Sequence, residues 1–291
     1  MSAVIGVILA FIAMVCWGFG DFLIQKTTRK DGDWQTIWVI TAVSTIVLTP
    51  FLYKDIIQLF TLQSSAFLLL AVSAVILLIA SLLDFEALKQ GKLAIVEPLW
   101  SLEIIVSAAL GVFIAGEFLS IKQILLIGSL VLGLFLVSLR SYKPSKKSYL
   151  EKGTILAVLA AITMGIANYL TGITARETSA LVTIWFLHFV IFIIATIYIS
   201  AKRKPQQLVK HIREQKGKLI TMALLDNIAW IAFAAAMSFT QIAIAVALSE
   251  SYIIIAVLLG VYVNKEYLRK HQKIGLIIAV ISAITLATIT I

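Results

Sequence analysis

The chain has 291 residues, of which 61% are hydrophobic and only 13% charged. A soluble domain carries roughly a quarter charged residues to face water, so this composition excludes an ordinary water-soluble fold. The net charge of +9 does not point to nucleic acid. The bases sit in short clusters between long apolar runs, where they meet lipid phosphates and fix orientation. The single cysteine, Cys16, gives neither a disulfide framework nor a Cys-rich metal site.

A helix needs about 20 apolar residues to cross a ~30 Å hydrocarbon core. In chain order, the charge-free runs predict helix 1 at 3–26, helix 2 at 34–54 and helix 3 at 65–89. A signal peptide has a basic n-region and a short apolar core; the first run has neither, so helix 1 is expected to be retained. Between Lys92 and Glu117 lies a run interrupted only by Glu97 and Glu103, which predicts helix 4. Helices 5, 6 and 7 follow at 119–140, 151–175 and 180–201. From Leu219 to Asn264 only Asp226 and Glu250 are charged, and the stretch is long enough for two crossings at ~1.5 Å per residue. The polar step Ser238, Thr240, Gln241 marks the turn between helices 8 and 9. Helix 10 covers 268–291, giving an all-α protein of ten spans.

The two halves repeat. At a shift of 147 residues, Gly6, Ala10, Ala13, Gly18, Thr27 and Arg29 fall on Gly153, Ala157, Ala160, Gly165, Thr174 and Arg176. Asp21 then stands opposite Asn168. At a shift of 149, Gly111, Glu117 and Leu119 meet Gly260, Glu266 and Leu268. Apolar coincidences are cheap in such a chain, but Gly, Glu and Arg matches in nearly one register are not. The organisation expected is therefore 1–150 and 151–291, joined through Ser141–Leu150. Five helices per half is an odd number, so the second copy enters the membrane from the opposite side. Inverted repeats are a transporter architecture, with the solute site near the midplane between the halves.

Particular residues are similar to those of the drug/metabolite transporter superfamily, EamA-type branch. Trp17-Gly18 with Lys26 downstream, Glu97-Pro98, and Gly116-Glu117-Phe118-Leu119-Ser120 resemble that family's motifs. The second half is a weaker copy, with Ala247 opposite Pro98 and Lys265-Glu266-Tyr267-Leu268 in place of the Gly-Glu form. The resemblance spans both halves. It implies ten helices around a central cavity, moving small organic solutes by alternating access without a prosthetic cofactor, and it favours Glu97 as part of the site or gate.

Ionisable residues at membrane depth are expensive and ask for a use. Glu103, Asp226 and Glu250 lie near the middle of helices 4, 8 and 9, and no Lys or Arg lies near the middle of any span. Hydrocarbon favours the neutral form of a carboxyl, which suits a proton-coupled site, a site for a cationic amine, or a structural hydrogen bond between helices. Glu97 and Glu103 are separated by about 120° around helix 4, so both cannot face the cavity axis. Asp21 and Asp84 lie at the same membrane side as Glu97, either making that end of the cavity acidic or pairing with Lys26, Lys89 or Lys92.

Pro98 lies deep inside a predicted span, whereas Pro50 stands near the end of helix 2, and Pro98 reads as a hinge or a static kink. Asn168 and Asn227 need partners in hydrocarbon and are expected to face the interior. Trp17, Trp100, Trp230 and Tyr252 are further candidates for the solute site, with packing as the alternative. His188 reads as a satisfied core residue. The stripe Gly275, Ala279, Ala283, Ala287 allows close approach of another helix, within the monomer or in a homodimer. Trp34, Trp38, Tyr53 and Tyr198 read as interfacial belt residues.

Three functional classes meet these residues. The first is a secondary transporter in a cell (inner) membrane, with the lipid bilayer, a small solute and protons as partners. The second is an intramembrane enzyme acting on lipid-linked substrates, for which Asp21, Asp84 and Glu97 are the only acids at a common depth. The third is a membrane scaffold or receptor, which leaves the repeat and the midplane acids without a use. The sequence holds no Gly-x-Ser-x-Gly, His-Glu-x-x-His or phosphate-loop motif, so the expectation is a transporter rather than an enzyme. Of the 24 Lys and Arg, 21 fall on the side of the loops after helices 1, 3, 5, 7 and 9. Bases mark the cytoplasmic side, which predicts both termini outside the cytoplasm, although ten-helix relatives usually keep theirs within it.

Overall fold

A computed structural model describes residues 2–59, 64–90, 98–139, 152–202, 205–263, 265 and 267–291. Its helices are α1 (Ser2–Asp31), α2 (Asp33–Leu59), α3 (Ser64–Gln90), α4 (Leu102–Phe113), α5 (Ile121–Ser138) and α6 (Lys152–Glu177). After them come α7 (Ala180–Ala201), α8 (Pro205–Phe239), α9 (Ile242–Ser249), α10 (Tyr252–Tyr262) and α11 (Lys270–Thr290). Among the described residues, nine spans are long and apolar enough to cross a membrane, counting Ile242–Tyr262 as one, and Pro98–Phe113 is a shorter apolar helix. Ile46, Phe51, Phe113 and Phe118 are among many large apolar side chains on the outer surface. That surface suits lipid and not water.

Three predicted helices differ from expectation. Helix 8 reaches back to Pro205, where proline suits a first helical turn. It bends at Gln215, whose φ of −127° and ψ of 25° leave the helical region. The segment expected as a basic loop is thus helical. Helix 9 is not continuous: it is interrupted at Glu250 and Ser251, between α9 and α10. There Ser251 N–H reaches Leu248 O at 3.3 Å and Ile254 N–H reaches Ser251 O at 2.9 Å, a short stretch of 3₁₀ bonding. Helix 4 is interrupted at Ser101, the position equivalent to Glu250 and three residues after Pro98. Serine hydroxyls donate back at both junctions, from Ser101 to Pro98 O and from Ser251 to Ala247 O, each at 2.8 Å.

The packing follows the repeat. α1 packs on α8 and α3 on α6, two pairs that exchange when the halves are swapped. α2 packs on α7 and α5 on α11, pairs that map onto themselves. A Cβ on Gly18 would stand 2.6 Å from Ile255 Cβ, and one on Gly165 would stand 2.6 Å from Val106 Cβ. These are the same contact twice, because Gly18 and Gly165 are equivalent and so are Val106 and Ile255. The small-residue stripe of α11 is used within the monomer. A Cβ on Gly133 would lie 2.6 Å from Ala279 N, and one on Gly275 would lie 2.7 Å from Gly133 O. Trp38 Nε1 donates to Thr196 at 2.8 Å, and Trp34 stacks on Tyr198 with centroids 4.0 Å apart, so three of the predicted belt residues also tie α2 to α7.

Candidate functional site

Both halves enclose one cavity of about 400 Å³. Its walls draw on both halves: α1 and α6 both line it, α4 brings Glu103, α8 Asp226 and the α9–α10 junction Glu250, and α3 adds Asp84. Glu103, Asp226 and Glu250, all buried, line it together with Asp84. Among the described residues of the lining there is no Lys or Arg. α2 and α7 also contribute, through Ile37, Ile40, Thr41, His188 and Ile191.

Aromatic rings form one face. Trp17 meets Trp230 edge to face with centroids 5.3 Å apart, and Tyr252 lies 6.3 Å from Trp17. His188 meets Trp230 edge-on at 6.4 Å. Such edge-to-face rings hold one another in place. Trp100 lines the same cavity, and its buried indole N–H has no acceptor among the described residues.

The two asparagines separate. Asn168 lines the cavity, and its Nδ2 donates to Glu103 Oε2 at 3.5 Å, a long contact between α6 and α4. Asn227 does not line it. Its Nδ2 donates to Ala223 O at 2.7 Å and to Ile40 O at 3.0 Å, and its Oδ1 stands 3.0 Å from His188 Nδ1. Asn227 therefore ties α8 to α2 and α7 and fixes the ring of His188, which faces the cavity.

Trp17, Trp100, Glu103, Asn168, Asp226, Trp230, Glu250 and Tyr252, singled out in the sequence, thus meet in one place. Pro98 is buried beside the helix 4 interruption. Glu97 and the side chain of Asp21 lie outside the described residues. Of the acids named for a lipid-active enzyme, Asp84 alone is described, and it faces the cavity. The cavity lining also includes Thr41, Ser81 and His188. The hydroxyls of Thr41 and Ser81 donate to Ile37 O and Leu77 O of their own helices, so no polar pattern in the sequence marks them as lining.

The cavity reaches the helix ends on one side through Ile24, Phe85, Ser138, Leu268 and Gln272. Towards the other side Tyr169, Phe233, Met237 and Ile242 are packed in the core. An apolar outer surface around a largely apolar cavity that carries buried acids is that of an integral multi-pass membrane protein.

The sequence profile of the EamA-like transporter family matches residues 4–139 and 151–288, and the chain belongs to that family. It is similar to an uncharacterized protein of Methanocaldococcus jannaschii, 31% identical over 137 residues, which are 46% of this chain and 96% of that one. A crystal structure of a protein superposes with a TM-score of 0.76 at 15% identity, covering 98% of this chain and 96% of the other. At that identity the likeness speaks to the fold alone.

Proposed function

We propose that the chain is a secondary transporter that moves a small organic solute, an amine or amino acid, by alternating access. The observation that carries this reading is the cavity between the halves, lined by Glu103, Asp226, Glu250 and Asp84 beside Trp17, Trp230 and Tyr252. Carboxyl groups and aromatic faces both attract a positive nitrogen, and they repel an anion. The orphan N–H of Trp100 supplies a donor for a carbonyl or carboxylate of the same solute. A volume of about 400 Å³ suits a small metabolite. Carboxyl groups held at membrane depth also carry protons, which couples uptake or extrusion to a pH gradient. The interruptions at Ser101 and Glu250, with Pro98 close by, supply the hinges at which the half-helices tilt.

The test is flux into proteoliposomes for amines, amino acids, sugars and organic anions, each with and without an imposed pH gradient. Gradient-driven movement of an amine or amino acid supports the reading. Movement confined to sugars or anions rules out the assignment of the lining, and flux indifferent to pH rules out the coupling.

A further inference from the structure

The end of the bundle away from the cavity opening is held by one ion pair with an unusual set of partners. Arg176, in the last turn of α6, reaches Glu117 Oε1 with Nη2 at 2.6 Å. The same guanidinium donates through Nε to Met237 O at 2.7 Å and through Nη2 to Thr240 O at 2.9 Å, at the C-terminal end of α8. Free carbonyls and the negative end of a helix are where an arginine is best placed. Glu117, on the loop between α4 and α5, accepts the Ile242 N–H on both carboxylate oxygens at 2.9 Å. Ile242 is the first residue of α9, so the carboxylate sits at a helix N-terminus. Gln241 Nε2 adds a bond to Phe118 O at 3.0 Å. The two charges therefore join the loop of the first half to the ends of α6 and α8 and the start of α9.

The surroundings are shaped for this contact. A Cβ on Gly111 would lie 2.8 Å from Glu117 Oε2, so glycine there makes room for the carboxylate. The Glu117 side chain is 6% exposed, whereas that of Arg176 is 31% exposed, which leaves one partner within reach of water. α9 is eight residues long and buried throughout, and it runs from this ion pair to Glu250 in the cavity wall. A rod of about 12 Å thus has the latch at one end and a solute-site carboxyl at the other.

We infer that Glu117 and Arg176 form the gate on this side of the membrane: their ion pair closes the path to the cavity, and its rupture opens it. The inference rests on the transport reading, but its test needs no solute. The reporter is Met164→Cys, midway along α6 and on the cavity wall, in a Cys16→Ala background. Sealed vesicles of both orientations are treated with a membrane-impermeant maleimide, so the labelling rate is obtained separately from each side. With the pair intact, the latch side labels more slowly than the other. Glu117→Gln keeps an acceptor for Ile242 and loses only the charge; it and Arg176→Gln each raise the latch-side rate at least tenfold. A merely structural pair lowers the melting temperature of both variants without changing the ratio of the two rates. A latch-side rate unchanged in monodisperse protein overturns the gate, and Arg176→Lys, which keeps the charge but not the fork, decides the matter if Arg176→Gln does not fold. Failure of solute flux alongside latch-dependent labelling removes the transport reading and leaves the gate standing.

Discussion

Gly116 and Lys265, equivalent in the repeat, hold the same left-handed backbone, with φ of 68° and 58°. The turn after helix 4 therefore recurs after helix 9, although only the first copy has the residue that adopts it without a Cβ clash. In the first copy the turn delivers Glu117, buries Leu119 and leads into Ser120, whose hydroxyl accepts the Gln123 N–H at the start of α5.

Lys265→Gly removes this strain and should stabilise the protein by about 1 kcal/mol. Gly116→Ala should destabilise it by a similar amount, although no atom lies within 4 Å of the added carbon. Thermal unfolding in detergent reads both shifts. Equal melting temperatures for Lys265→Gly and the parent would show that the left-handed turn carries no strain.

Gly165→Ala places a carbon 2.6 Å from Val106 Cβ and 2.9 Å from Glu103 O. Overpacking of this kind costs roughly 1–3 kcal/mol. The melting temperature should fall. Gly128→Ala, inside α5 with nothing within 4 Å, is the control and should stabilise slightly, by about 0.5–1 kcal/mol. A Gly165→Ala protein as stable as the control would mean that α6 and α4 are not in contact here.

Asn227→Leu leaves Ile40 O and His188 without their shared partner. Unsatisfied buried groups cost about 1–3 kcal/mol, so stability should fall while the choice of solute stays the same. Unchanged stability with altered solute preference would move Asn227 from the frame into the site.

Glu103→Gln, Asp226→Asn and Glu250→Gln keep size and can still hydrogen-bond but cannot carry the charge. At least one should abolish pH-driven flux while folding normally. Wild-type flux and pH dependence in all three would make the acids structural.

With 21 of 24 bases expected on one side of ten spans, a C-terminal alkaline phosphatase fusion should be active and a C-terminal green fluorescent protein fusion dark. The reverse pattern would show that the orientation, or the number of crossings, differs from that read here.

The spans were legible because hydrocarbon demands long runs without charge, and a carboxyl inside such a run stands out. Glu103, Asp226 and Glu250 were found for that reason. The break at Glu250 was not legible, since Ser249-Glu250-Ser251 contains no proline or glycine and Glu250 keeps near-helical torsions. The start of α8 was hidden because residues 205–218 are polar and basic and read as a loop. Asn168 and Asn227 looked alike in the sequence. What separates them is whether the amide is spent on neighbouring carbonyls, which depends on helix facing. For the same reason Asp84 reads as either a cavity acid or an interfacial partner and His188 as a core residue, and packing turns both to the cavity.

The packing of the two halves is nearly interchangeable, yet the chemistry they carry is not. Glu103 is matched in the other half by Tyr252, Glu250 by Ser101, and Asp226 by Leu77 or Ile79 in either register. Swapping the halves therefore restores the frame and scrambles the charges. On the alternating-access reading proposed above, a solute or proton at this site meets different groups when it arrives from one face than from the other, which makes the two end conformations unequal in free energy. The equilibrium between them is biased before any gradient is applied, and the bias is written in the residues that fail to repeat.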